Sequence, residues 1–194
     1  MPTDPTHPHR LKLDQALDLV MSQRGQVVIP ITAGDSSMIP HLRGGDAVLA
    51  IPPAGLPSCG DLVLFWQMDY WVVHRSLGPV VTRDGRSGLR TRGDGRNALD
   101  PLVVVDDVRA RIVAVRRGGV WRTLDGTPAR IYARLVAWHD LFWAAAGVVA
   151  GSVGLGRAVA AIDLALLRIA VPLVFPLIHG RIAAPPGSVA GEPV

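Results

Sequence analysis

Short apolar runs separated by clusters of glycine, proline and aspartate fill residues 26–124 and constrain the fold more than any other feature. The runs are VVIPI, AVLAI, LVLFW, YWVV, PLVVV and RARIVAV, and most are rich in β-branched residues. Short runs of this kind, bounded by turn-forming residues, are typical of β-strands. The pattern therefore predicts a mainly β unit with tight turns over residues 26–124.

The N-terminal segment, residues 1–25, has a different composition. Its first residues, MPTDPTHPHRLKLD, lack the apolar core of a signal peptide and are typical of a frayed tail. His7 and His9 offer weak metal ligands at most, so we predict no metal site and no cofactor. Apolar side chains then recur at helical spacing and predict a short amphipathic helix over residues 11–23.

The C-terminal segment, residues 125–180, predicts a hydrophobic helical region, followed by a disordered tail over residues 181–194. Residues 141–156 carry no charge, and Gly147 and Gly151 have the GxxxG spacing of closely packed helices. A bilayer span needs about 20 apolar residues, and this stretch is slightly shorter. We favour two membrane-associated helices within residues 141–179. The alternatives are a buried hairpin packed on the β unit, or the interface of a homo-oligomer.

Charge and cysteine content narrow the possible partners. The net charge is +4, almost all of the positive charge is arginine, and the arginines are scattered with few aromatic residues between them. A nucleic-acid surface is therefore not indicated. Cys59 is the only cysteine, which excludes an internal disulfide and a thiolate metal cage.

One turn-rich loop, GDSSMIPHLRGGD at residues 34–46, carries two adjacent serines. A serine hydroxyl is a poor nucleophile until a base takes its proton, and arginine does not deprotonate in proteins. The single lysine lies upstream, in the predicted helix. His74 directly follows the run YWVV, where its ring can project over a neighbouring loop and act as a general base near neutral pH. The alternative is an ordinary surface histidine with satisfied hydrogen bonds.

Five ordered pieces of the chain resemble the type I signal peptidase family, in its archaeal and endoplasmic-reticulum branch that uses a Ser–His pair. They are Ser37-Met38-x-Pro40, Gly45-Asp46, Gly60-Asp61 before LVLFW, VVHR, and RGDGRNALD. The resemblance covers about residues 27–120. It implies a signal-peptidase/LexA-like β fold with a C-terminal hydrophobic helical appendage.

The resemblance also implies roles for single residues. Ser37 matches the nucleophile, His74 the general base, and Asp100 the acid that supports the histidine. Ser36 and Met38 match the oxyanion and substrate-binding region, with the Ser37 N–H as one oxyanion donor. The remaining matched acids are expected to be structural residues of turns and strand entries: Asp46, Asp61 and Asp94.

Two departures from the family pattern lead to further expectations. Many members have a small or hydroxyl residue two positions before the nucleophile, where this chain has Asp35. Either Asp35 turns away and Ser36 assists, or catalysis is weak. The hydrophobic region follows the β unit, and arginines precede it, which favours a membrane-associated protein whose catalytic unit faces the cytoplasm.

Two functional hypotheses follow. The first is a Ser–His–Asp endopeptidase that cuts signal or leader peptides after small residues, as the resemblance implies. The second is a catalytically idle relative that binds peptides in the same groove. A self-cleaving LexA-like regulator is disfavoured, because no lysine base is available and the N-terminal segment is too short for a helix-turn-helix domain.

Overall fold

The computed structural model describes residues 8–67, 70–82, 84–96, 98–151, 171 and 174–183. Two long helices flank a set of strands: α1 (Pro8–Arg24) before them and α2 (Thr127–Gly151) after them. The strands are β1 (Val27–Pro30), β2 (Ala47–Ile51), β3 (Leu62–Gln67), β4 (Tyr70–Val81), β5 (Ser87–Arg92), β6 (Val103–Val104), β7 (Val108–Arg117) and β8 (Val120–Thr123). A 3-10 turn, Val105–Asp107, joins β6 to β7.

The described strands form one antiparallel sheet in the order β1-β2-β7-β3-β4-β5-β6, with β8 paired to β7. The predicted mainly β character is therefore confirmed. Every apolar run contributes to a strand, although PLVVV gives only the two residues of β6. The predicted helix over residues 11–23 is also present, and α1 begins three residues earlier.

The hairpin of β3 and β4 places the candidate histidine. Because Gln67 pairs with Tyr70 and Val63 with His74, the two apolar runs form the expected antiparallel pair. β4 then continues to Val81, past an irregularity between Ser76 and Gly78, and pairs with β5. His74 consequently lies inside a strand with neighbours on both sides, and the residue is 3% exposed.

The main core lies on one face of the sheet and includes residues from both flanking segments. Met21 of α1 belongs to it, and so does Met38 of the loop at residues 34–46, the serine loop. So do Val171 and Phe175, which come from the C-terminal hydrophobic region and are 2% and 3% exposed. The end of that region therefore packs on the β unit, as in the buried-hairpin alternative.

The chain after α2 returns to the sheet at its β8 edge. Thr123 N–H donates to the Gly180 carbonyl, and Ile182 N–H donates to the Trp121 carbonyl. Within the described ranges, no helix combines the length and the apolarity needed to cross a membrane. The predicted helix pair and its contact at Gly147 and Gly151 fall largely outside what the structure describes, as do the tail residues 184–194.

Candidate active site

The serine loop joins β1 to β2 and is closed at its base by hydrogen bonds. Ile31 N–H donates to the Asp46 carbonyl at 2.8 Å, and Gly45 N–H donates to the Ile31 carbonyl at 3.1 Å. Arg117 of β7 also holds the loop where it meets the sheet, because its guanidinium binds the Asp46 carboxylate at 2.6 Å and the His41 carbonyl at 2.8 Å. The loop is thus fixed to the centre of the sheet.

His74 and Asp100 form the expected contact. Nδ1 of His74 lies 2.7 Å from Oδ2 of Asp100, and the Thr91 hydroxyl donates to the same oxygen at 2.8 Å. The Asp100 N–H also donates to the Thr91 carbonyl, which ties the acid to β5. A carboxylate at Nδ1 holds the proton there and leaves Nε2 as an acceptor, which is the tautomer that a general base needs.

Nε2 of His74 is buried and has no hydrogen-bond partner within the described part of the chain. It faces the same space as Ser37, since both residues line a cavity of about 340 Å³. The Ser37 side chain makes no hydrogen bond to any described residue either. No direct hydrogen bond therefore joins the two groups, as is common for catalytic pairs before substrate binds.

The Gly93–Gly95 turn presses against the serine loop and brings Ser37 to His74. A Cβ atom on Gly93 would stand 2.5 Å from the Ser37 carbonyl oxygen and 3.0 Å from His74 Nε2. The Gly95 N–H donates to the Ser37 carbonyl at 2.8 Å, and a Cβ atom on Gly95 would stand 2.6 Å from the Ser36 carbonyl oxygen. Only glycine fits at these two positions while the loop keeps its place.

The Ser37 backbone N–H, the expected oxyanion donor, is already occupied. It donates to Oδ1 of Asp35 at 2.9 Å. Asp35 therefore faces the site, so of the two alternatives left open by the sequence, the one in which Asp35 turns away does not hold. A carboxylate oxygen stands where the oxygen of a bound carbonyl would accept this hydrogen bond.

Ser36 and Met38, the predicted oxyanion and substrate-binding residues, lie on opposite sides of the loop. Ser36 is exposed and its carbonyl accepts the Ile39 N–H, which tightens the turn. Met38 is 2% exposed, packs in the main core and has its sulfur 3.5 Å from the Asp94 nitrogen. Neither is among the described residues that line the cavity, so Met38 supports the loop from beneath.

Two of the three matched acids behave as turn and strand-entry residues. The Asp46 carboxylate accepts the Arg43 N–H at 3.0 Å and pairs with Arg117. The Asp61 carboxylate accepts the Ser58 N–H at 2.8 Å, just before β3. Both bonds fix local backbone geometry and lie outside the cavity of Ser37 and His74.

Asp94 was expected to stabilise a turn by a hydrogen bond to its own backbone. Its carboxylate instead binds other side chains. Its two oxygens accept hydrogen bonds from Nε and Nη2 of Arg75 at 2.8 and 2.7 Å, and both side chains are buried. His41 Nδ1 lies 2.7 Å from Asp94 Oδ2, and His41 Nε2 lies 2.8 Å from the Tyr132 hydroxyl. A buried polar chain thus links the Gly-Asp-Gly turn to α2.

Burial and neighbouring charges set the protonation states of Asp94, His41 and Tyr132. Burial alone would raise the pKa of Asp94, but Arg75, together with His41, outweighs it and holds that pKa well below its usual range. Burial lowers the pKa of His41 despite the nearby Asp94, so the ring is neutral at pH 7. Burial also raises the pKa of Tyr132 to about 12, which keeps its hydroxyl proton available to His41.

Several residues of the site were not predicted from sequence. Thr91 binds Asp100, and Arg75 binds Asp94 in the Gly93–Gly95 turn. The sequence position of Arg75, directly after His74, was the one feature that could have pointed to it. The remaining walls of the cavity come from distant segments, and the lining residues outside the predicted set are Thr32, Gln67, Tyr70, Trp71, Val72 and Arg96. In the described ranges, no three His, Cys, Asp or Glu side chains are placed to hold a metal ion.

No protein-family model matches this chain, and neither a curated protein nor a solved structure is significantly similar to it.

Proposed function

We propose that this chain is a serine endopeptidase with a signal-peptidase-like β fold, in which Ser37, His74 and Asp100 carry the reaction. The observation that supports it most is the pairing of two unoccupied groups in one cavity. Among the described residues, the Ser37 hydroxyl and His74 Nε2 have no hydrogen-bond partner, while Nδ1 of the same histidine contacts Asp100.

The proposed reaction uses these groups in two steps. Ser37 Oγ attacks the scissile carbonyl carbon while His74 Nε2 takes the hydroxyl proton. His74 then gives that proton to the leaving amine, the peptide C–N bond breaks, and an acyl ester remains on Ser37. A water molecule then attacks the ester carbon while the same nitrogen takes its proton. The bond from that carbon to Ser37 Oγ breaks, His74 returns the proton to Ser37 Oγ, and the new carboxyl terminus is released. Asp100 holds the ring and stabilises its positive charge in both steps.

The substrate class rests on the sequence resemblance and on the shape of the fold. We propose an extended signal or leader peptide that is cut after small residues. An extended peptide can add to a sheet edge through main-chain hydrogen bonds, which leaves its side chains to determine specificity.

Membrane association through residues 141–179 is the second part of the proposal. It is supported by the absence of charge in residues 141–156. Flotation of the full chain with lipid vesicles tests it. Recovery of the protein in the vesicle fraction is expected, and recovery only in the aqueous fraction would contradict it.

A catalytically idle peptide-binding relative is the second candidate function, and the Asp35–Ser37 hydrogen bond favours it. The two candidates are separated by incubating precursor peptides with the wild-type chain and with Ser37→Ala, His74→Ala and the double variant, followed by mass spectrometry. Endopeptidase activity predicts cleavage that each single variant nearly abolishes, and a double variant little worse than either, since residues acting as one unit are non-additive.

Ser36→Ala is the matched control, because it removes the neighbouring exposed hydroxyl. Cleavage by this variant should persist. Cleavage that survives Ser37→Ala but not Ser36→Ala would contradict the assignment of the nucleophile.

A further inference from the structure

Asp35 occupies the oxyanion donor of the proposed peptidase. Its Oδ1 accepts the Ser37 N–H at 2.9 Å, and its side chain lines the same cavity as Ser37 and His74. Backbone N–H groups at the nucleophile are the usual donors to the oxygen of a scissile carbonyl. A peptide can therefore react only after the Asp35 carboxylate has left this N–H.

A neutral carbonyl oxygen is a weak competitor for that position. Hydrogen bonds to a charged acceptor are about twice as strong as those between neutral groups, so the carboxylate holds the N–H more tightly than a peptide carbonyl does. In addition, the tetrahedral intermediate carries a negative charge, which the carboxylate would repel at short range. Displacement needs a group that attracts the carboxylate elsewhere.

The charges in the cavity indicate what kind of group could draw the Asp35 carboxylate away. Among the described residues, two carboxylates line the cavity, those of Asp35 and Asp100, and Asp100 already accepts hydrogen bonds from His74 and Thr91. The Asp35 carboxylate has only the Ser37 N–H as hydrogen-bond partner among the described residues, and it forms no ion pair with them. Arg96 lines the same cavity, yet its guanidinium is not paired with Asp35. The negative charge of Asp35 is thus left for a cation that the substrate brings.

We propose that Asp35 is a displaceable block on the oxyanion donor and selects peptides with a lysine or arginine within two residues of the scissile bond. The cationic side chain forms an ion pair with Asp35, the carboxylate turns away from Ser37 N–H, and the scissile carbonyl takes its place. Asp35 acts as a specificity and positioning residue. This inference rests on the proposed function, because it assigns a substrate class to the same site.

Matched peptides test the inference. The probes are internally quenched ten-residue peptides with a central alanine pair, in which a single lysine or its uncharged analogue norleucine stands at each flanking position in turn. At the best position we expect the wild-type chain to give a kcat/KM about 10- to 100-fold higher for lysine, the range of one charge-assisted hydrogen bond. Asp35→Asn should reduce this ratio to near one.

Asp35→Ser separates the block from the recognition of charge. It removes the carboxylate and leaves a hydroxyl, so kcat/KM for the norleucine peptide should rise by roughly 10²-fold, the scale of one oxyanion donor. Asp84→Asn is the matched control, since it removes the same charge from an exposed turn between β4 and β5. Its lysine-to-norleucine ratio should equal that of the wild type. A wild-type ratio near one, or a ratio unchanged in Asp35→Asn, would overturn the inference.

A binding measurement keeps the inference separate from catalysis. Ser37→Ala retains the backbone N–H and cannot form an acyl ester, so its affinity for the intact lysine and norleucine peptides reports recognition alone. Tighter binding of the lysine peptide, lost in Ser37→Ala/Asp35→Asn, supports the inference even if the wild-type chain cuts no peptide and the proposed function fails. Equal or absent binding of the two peptides contradicts it, whatever the wild-type activity.

Discussion

Oδ2 of Asp100 is shared between Nδ1 of His74, at 2.7 Å, and the hydroxyl of Thr91, at 2.8 Å. The acid is held by β5 while the histidine belongs to β4, so the pairing of these two strands sets the orientation of the ring. The relationship gives Asp100 a testable role as the group that fixes the tautomer.

Asp100→Asn should lower kcat by roughly 10²–10⁴-fold, because an amide that donates to Nδ1 favours the wrong tautomer at Nε2. Thr91→Val is the comparison, since it removes one neutral hydrogen bond to Asp100 and should cost about 10-fold or less. Steady-state kinetics with one cleaved peptide measure both. Equal rates for Asp100→Asn and the wild type would show that Asp100 does not support the base.

Gly93→Ala should remove activity and lower the free energy of unfolding by about 1–3 kcal/mol, the usual cost of overpacking. The new methyl group would overlap the Ser37 carbonyl oxygen at 2.5 Å and approach His74 Nε2 at 3.0 Å. Gly180→Ala is the control, because a Cβ atom there has no neighbour within 4 Å. Urea unfolding and peptide cleavage are the measurements. An active, fully stable Gly93→Ala protein would be inconsistent with the close packing of turn and loop.

Phe175→Ala should lower the free energy of unfolding by about 3–5 kcal/mol, because this ring is 3% exposed in the main core. Leu177→Ala, two residues later, should change it by no more than about 0.5 kcal/mol, since that side chain is 84% exposed. Denaturant unfolding compares the two variants. Similar small losses in both would mean that the C-terminal segment does not pack on the β unit.

The stability of the fold should fall as the pH drops from about 6.5 to about 4. Burial lowers the pKa of His179 from 6.5 to about 4, and the hydrogen bond to the Thr123 carbonyl offsets only part of that shift. Between these values the unfolded chain binds a proton that the folded chain does not, so protonation favours unfolding. The stabilising contribution is complete above about pH 6.5 and is lost towards pH 4.

His179→Gln tests this origin of the pH dependence. The variant should show a shallower slope of unfolding free energy against pH between about 6.5 and 4, measured by denaturant unfolding at a series of pH values. Part of the slope should remain, because burial also lowers the pKa of His41. An unchanged slope would assign the pH dependence to other groups.

The apolar runs predicted most of the strands, because β-branched side chains fit the half-buried surface of a sheet and their enrichment is visible in the local sequence. β2 has the predicted bounds, and β3 extends its run by one residue. β5, with the sequence SGLRTR, was missed because four of its six residues are polar and no run of apolar side chains marks it. It forms as a strand since β4 and β6 pair with it on either side, and such pairing leaves no signal in the segment itself.

The site shows the same difference between features that are visible in the local sequence and features that depend on distant residues. The contact of His74 with Asp100 was predictable through the family resemblance, whereas the buried chain from Arg75 to Tyr132 was not. Its members are up to 91 residues apart, as for His41 and Tyr132, and only the packing of α2 on the serine loop brings them together. Asp35 was noticed as an unusual residue, yet only its side-chain geometry shows that it accepts the Ser37 N–H.

Covalent labelling with a fluorophosphonate tests the central claim most directly, because the reagent phosphonylates a serine that is activated by a base, with loss of fluoride, and needs no peptide substrate. Intact-protein mass spectrometry and peptide mapping of the wild-type chain should find a single adduct on Ser37. The labelling rate should fall by 10³-fold or more in His74→Ala, the order expected for loss of the general base. An adduct at another residue, no adduct in either the wild-type chain or Asp35→Ser, in which the oxyanion donor is free of the carboxylate, or equal labelling of His74→Ala would contradict the claim that Ser37 and His74 form a catalytic pair.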